Sequence, residues 1–135
     1  MRAESLAFFK NLVESPSPSG YEQPAARVLR EYLEPLSDEV SINVMGSVHA
    51  ILRGSEGERD GTRVSVMLAG HIDEIGMMVT YITPEGFIAF KPIGGIDEAV
   101  LPGMRVRVHT KEGPLLGILG RMPIHLLEED ERKAV

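Results

Sequence analysis

The run Val64-Ser65-Val66-Met67-Leu68-Ala69 is almost continuously apolar and stops at Gly70. A strand that alternates apolar and polar residues needs cover on one face only. A strand like this one needs cover on both, as in the sheets of α/β proteins. The run therefore predicts an α/β fold and places His71 just past the carboxyl end of a buried strand. Ligands of open α/β sheets gather at that end.

The flanking segments fit such a fold. Leu6, Phe8, Phe9, Leu12 and Val13 recur at helical spacing and predict a helix over residues 5–14. The stretch Ser15-Pro16-Ser17-Pro18-Ser19-Gly20 breaks it. Ser19 and Glu22 have the spacing of a capping box, which predicts a second helix from about Tyr21 to Glu34 with Pro24 in its first turn. Val40, Ile42 and Val44 then alternate, and Met45-Gly46-Ser47 turns the chain into a second short strand over Val48–Leu52. Residues 54–61 read as a polar loop.

Beyond residue 76 the composition changes. Residues 84–123 hold 12 Gly and Pro in 40 positions, against 11 in the other 95. That density of turn formers predicts short strands: Met77–Ile82, Phe87–Phe90, Arg105–Thr110 and Leu115–Leu119. Thr83-Pro84-Glu85-Gly86 and Lys111-Glu112-Gly113 are the expected hairpin turns. The boundary falls near residues 74–76, between an α/β part (1–74) and a small β-barrel or sandwich (75–135). Two helices and about three strands leave the central strand of the first part poorly covered. The tail Glu128–Val135 reads as the start of a polar helix.

Several functional classes are excluded. A net charge of −6 argues against nucleic acid or an anionic membrane surface as partner. With no cysteine, disulfides and thiolate metal sites are ruled out, so any metal must use His, Asp and Glu. The first ten residues hold no sustained apolar segment, and no stretch approaches the roughly 18 apolar residues of a membrane span. A soluble, cytoplasmic protein with a real core is expected, since 43% of residues are apolar.

Within this frame His71 and Asp73 are the candidate site. Residues i and i+2 of an extended chain point the same way. A carboxylate beside an imidazole accepts its second N–H and fixes the ring as a metal ligand. A His-x-Asp triplet also occurs by chance, and its position after the apolar run is what singles it out. The other candidates have plainer readings. His49 reads as a partly exposed strand residue, and His109 as part of a solvated strand face with Arg105 and Arg107. His125 has a structural role near a turn. Asp97 and Glu98 are turn and loop residues, near a subunit contact. Glu74 faces away from Asp73, and Met77 and Met78 fill the core.

The segment Leu68-Ala69-Gly70-His71-Ile72-Asp73-Glu74-Ile75-Gly76-Met77-Met78-Val79 closely resembles the metal-site signature of the tetrahedral, or glutamyl-aminopeptidase-like, metallopeptidases, some of them labelled endoglucanases. Ser15–Glu22, Gly86-Phe87-Ile88, Ile93–Asp97, Leu101–Val106 and Gly117–Leu127 resemble the same family in the same order. The resemblance implies an aminopeptidase with two divalent metal ions, zinc or cobalt, that removes N-terminal residues from peptide substrates. It implies an α/β catalytic domain interrupted after Glu74 by a β-barrel-like dimerisation domain, of which residues 75–135 are a part. It implies a dimer-based homo-oligomer extending to a dodecamer. By this match His71 is a metal ligand and Asp73 is the catalytic-site residue that orients it. The bridging aspartate, the general-base glutamate, the other acidic ligand and a second histidine are expected beyond Val135, which leaves at most one weak ligand set here and predicts a chain inactive by itself. Gly46-Ser47 departs from the Gly-Asn often found in the family. Two rival readings stay open: a non-catalytic oligomerisation or binding module, and another co-catalytic hydrolase such as a deacylase or carboxypeptidase.

Overall fold

The first helix, α1, covers Ala3–Glu14. It ends where Ser15 turns extended ahead of Pro16, and the Ser15 hydroxyl donates to the Asn11 carbonyl at 2.7 Å. The structure is a computed structural model and describes residues 2–54 and 64–121. Helix α2 covers Gln23–Leu33, with Pro24 in the first turn, where a missing N–H costs nothing. Phe8 of α1 stacks on Tyr32 of α2, ring centroids 3.8 Å apart and 11° from parallel. Ala25 and Ala26 of α2 are buried.

The chain divides into two compact units, Met1–Gly95 and Ile96–Val135. In the first, β1 (Glu39–Ile42) pairs antiparallel with β2 (Val48–Ile51). Asn43 shapes their turn by accepting from the Met45 and Ser47 amides at 2.9 and 3.0 Å, and Gly46 takes a φ of +87° that favours glycine. β3 (Gly76–Ile82) pairs antiparallel with β4 (Ile88–Ile93), so β4 runs beyond the expected Phe90. In the second unit β5 (Arg105–Thr110) pairs with β6 (Gly113–Ile118) around a Lys111-Glu112 turn. Arg105, Arg107 and His109 share its exposed face, while Val106 and Val108 are half-buried. Asp97 caps the 3₁₀ turn Glu98–Val100 by accepting from the Ala99 amide at 2.9 Å.

Three expectations are corrected. Residues 64–70 form no strand, and Val64 and Leu68 are 83% and 93% exposed. Strand character is a property of pairing, and the described residues offer this segment no neighbouring strand. The Ser19/Glu22 capping box does not form either. Helix α2 starts only at Gln23, Glu22 accepts from the Gly20 amide at 2.6 Å, and the Ser19 hydroxyl is engaged elsewhere. Met78 is 59% exposed and fills no core. Among the described residues the buried apolar side chains are Ala25, Ala26 and Leu119 alone. Each sheet has two strands, closes no barrel among the described residues, and leaves its faces open. His125, the 128–135 tail and most of the 54–61 loop lie outside the described residues.

Gly76 begins β3 against Pro18. A Cβ added there would sit 2.5 Å from the Pro18 Cβ, a rigid ring atom. Gly76→Ala is expected to destabilise the protein by about 1–3 kcal/mol, as overpacking does. An unchanged urea midpoint would refute the close approach.

Candidate functional site

The site is built where two sequence-distant segments are clasped together. Pro18 and Glu74 form a parallel bridge. The Glu74 amide donates to the Ser17 carbonyl at 2.8 Å, and the Ser19 amide donates to the Glu74 carbonyl at 3.3 Å. The Glu74 side chain completes the clasp by accepting from the Ser17 amide at 3.0 Å. Ser17 is buried as a result. Glu74 thus belongs to the clasp and makes no hydrogen bond with His71 among the described residues.

The clasp fixes the residue before Glu74. Asp73 accepts from the Ser19 hydroxyl through Oδ2 at 2.7 Å. Its other oxygen, Oδ1, lies 2.9 Å from His71 Nδ1, and its main-chain carbonyl lies 3.2 Å from the same nitrogen. A carbonyl only accepts, so Nδ1 is the donor in these contacts, and in the neutral ring that places the lone pair on Nε2. The His71 side chain is 86% exposed, which leaves Nε2 accessible. The Ser19 hydroxyl bond above all, and then the His71 contact, hold the Asp73 carboxyl below its usual pKa and outweigh its partial desolvation. Asp73 is therefore an anion at neutral pH.

His71, Ile72 and Asp73 line an open hollow of about 290 Å³, together with Gly70, Glu22, Leu29 and the β1–β2 turn at Met45-Gly46-Ser47. His49 and His109 are exposed strand residues. Among the described residues no three His, Asp or Glu side chains gather as a metal cluster. What the arrangement supplies is one exposed imidazole whose Nδ1 is engaged by Asp73.

Residues 46–135 match the family model described as M42 glutamyl aminopeptidase. The chain belongs to that family. Among curated relatives of this M42 chain, the lysyl aminopeptidase of Pyrococcus furiosus is 36% identical over 121 residues, which cover 89% of this chain and 33% of the relative. Among solved structures, the TET aminopeptidase of a marine-sediment Thaumarchaeota archaeon superposes with a TM-score of 0.85 at 39% identity, covering 98% of this chain and 35% of that one. The Pyrococcus horikoshii TET1 peptidase, described as assembling into a tetrahedron or a large octahedral shell, gives 0.71 at 31% identity, covering 92% and 35%. The chain spans about a third of the length of these relatives. Its mixed helix-and-sheet fold is that of the M42 aminopeptidases, and the family is the one its motifs resemble.

Sequence reasoning did not find Ser17, Ser19 or the clasping role of Glu74. Ser19 and Glu74 lie far apart in sequence, and only the resemblance of the Ser15–Glu22 stretch to the M42 pattern marked the first of them.

Proposed function

We propose that this chain is the leading part of a metal-dependent aminopeptidase that removes N-terminal residues from peptides, with His71 as a ligand of one metal ion and Asp73 as the residue that orients it. The observation that carries the reading is the His71–Asp73 pair in an M42 chain: Nδ1 is tied to Asp73 at 2.9 Å and the Nε2 lone pair is accessible.

The donor set fits one ligand of such a site. An imidazole suits zinc or cobalt, and the carboxylate behind it raises its basicity. Paired divalent ions, when bound, polarise the scissile carbonyl and acidify a water molecule. The chain's own part is narrower. Asp73 engages Nδ1, and His71 lines the hollow beside the β1–β2 turn. A co-catalytic pair also needs a bridging carboxylate, further ligands and a general base.

The residues after Glu74 are proposed to begin a β-rich dimerisation domain, making residues 1–74 the catalytic part. The hairpins β3–β4 and β5–β6, and the shells described for the P. horikoshii relative, support this. A homo-oligomer, dimer-based and extending to a dodecamer, follows. Cytoplasmic residence is part of the same proposal; among the described residues no helix is long and apolar enough to cross a membrane.

The test uses the whole enzyme and two peptides that differ only in N-acetylation. The free peptide is expected to lose its first residue with zinc or cobalt present and to be spared after chelation. Equal cleavage of the acetylated peptide would sink the exopeptidase reading, and turnover indifferent to chelator would sink the metal.

A further inference from the structure

The hydroxyl of Ser19 has a job that its place in the sequence does not announce. It sits four residues before helix α2, in an exposed position, and caps nothing. Instead it donates across 54 residues of sequence to Asp73 Oδ2. Three separate hydrogen bonds hold the Ser17–Ser19 strip on Glu74, so the hydroxyl is delivered to a fixed place. The absence of a side chain at Gly76 lets Pro18 come close enough for this.

A carboxylate held at one oxygen only can rotate about its Cβ–Cγ bond. Held at both, it cannot. Ser19 on Oδ2 therefore leaves Oδ1 aimed at His71 Nδ1, and the main-chain carbonyl of Asp73 backs the same nitrogen. A free imidazole exchanges its proton between the two nitrogens. Here the acceptor pair on Nδ1 selects the form whose lone pair is on Nε2.

We propose that Ser19 is a positioning residue: through Asp73 it locks the His71 ring in the tautomer that presents Nε2 to a metal ion. The inference rests on the metal reading of His71 given above. The Ser19 hydroxyl is spent on the Asp73 carboxylate, and it acts through that group. Groups that orient a metal ligand are worth about 10–100-fold in metal affinity, and one placed a step farther out belongs near the tenfold end.

The experiment is magic-angle-spinning NMR of the whole enzyme labelled with ¹⁵N-histidine, with His71 assigned by its loss in His71→Gln. In the unsubstituted protein Nδ1 is expected to be protonated and Nε2 bare, and Nε2 is expected to move on addition of zinc alone. Ser19→Ala is expected to give a mixture of both tautomers and to weaken zinc binding about tenfold. Ser19→Thr, which keeps the hydroxyl, is expected to restore the single tautomer. Because Ser19 is exposed, far-UV circular dichroism should be unchanged, and the Thr variant reads the hydroxyl even if the Ala variant loosens the loop. A single unaltered tautomer in Ser19→Ala would overturn the proposal, as would a mixed tautomer in Ser19→Thr. No response of Nε2 to zinc in the unsubstituted protein would overturn it through its premise, and that failure is recognised because no substitution is involved.

Discussion

His71→Ala in the whole enzyme is expected to abolish release of N-terminal residues and to cost one bound metal ion per subunit. The loss should exceed the roughly 100-fold at the upper end for groups that merely orient a ligand. The imidazole is offered as a ligand itself, with Nδ1 occupied by Asp73 and the ring 86% exposed. Asp73→Ala keeps the ring and removes its guide, so its loss should stay within about 10–100-fold. Steady-state rates on an aminoacyl amide, with metal content by atomic absorption, check both. Equal losses in the two variants, or full metal occupancy in His71→Ala, would show that the imidazole is not a ligand.

A protein of these 135 residues alone is expected to turn over no aminoacyl amide at all. One imidazole cannot hold two ions, because affinity comes from several ligands in fixed geometry. The described residues gather no cluster of three ligands. The apolar run before His71 is also laid open, with Val64, Val66, Met67 and Leu68 at least 80% exposed. Purified protein is tested with excess zinc and with excess cobalt. Turnover that His71→Ala removes would refute the expectation.

Much of the fold could be read from local pattern because its causes are local. The helical periodicity around Leu6–Val13 and Val28–Leu33 marks α1 and α2. The Gly-bearing turns at 83–86 and 111–113 mark two hairpins, and β5 runs over the expected residues, Arg105–Thr110. What could not be read depends on partners remote in the chain. The run 64–69 has strand composition, but composition makes a strand only beside other strands. Ser19 has capping composition, but a charged acceptor 54 residues away takes its hydroxyl instead. The neighbourhood of His71 and Asp73 followed from a spacing of two. Their common support in Ser17, Ser19 and Glu74 did not, because no local rule connects residue 19 to residue 73.

The clasp between Pro18 and Glu74 also makes one contact depend energetically on others. Closing a loop of about 54 residues costs roughly 3–4 kcal/mol of chain entropy. One hydrogen bond to a charged group returns about 1.5–3 kcal/mol, too little to close that loop unaided. The backbone bonds of Ser17, Ser19 and Glu74 and the seating of Pro18 over Gly76 supply the rest. The setting of the histidine therefore stands or falls with the clasp: a chain in which it has slipped open keeps every residue of the pair yet loses the support of Asp73.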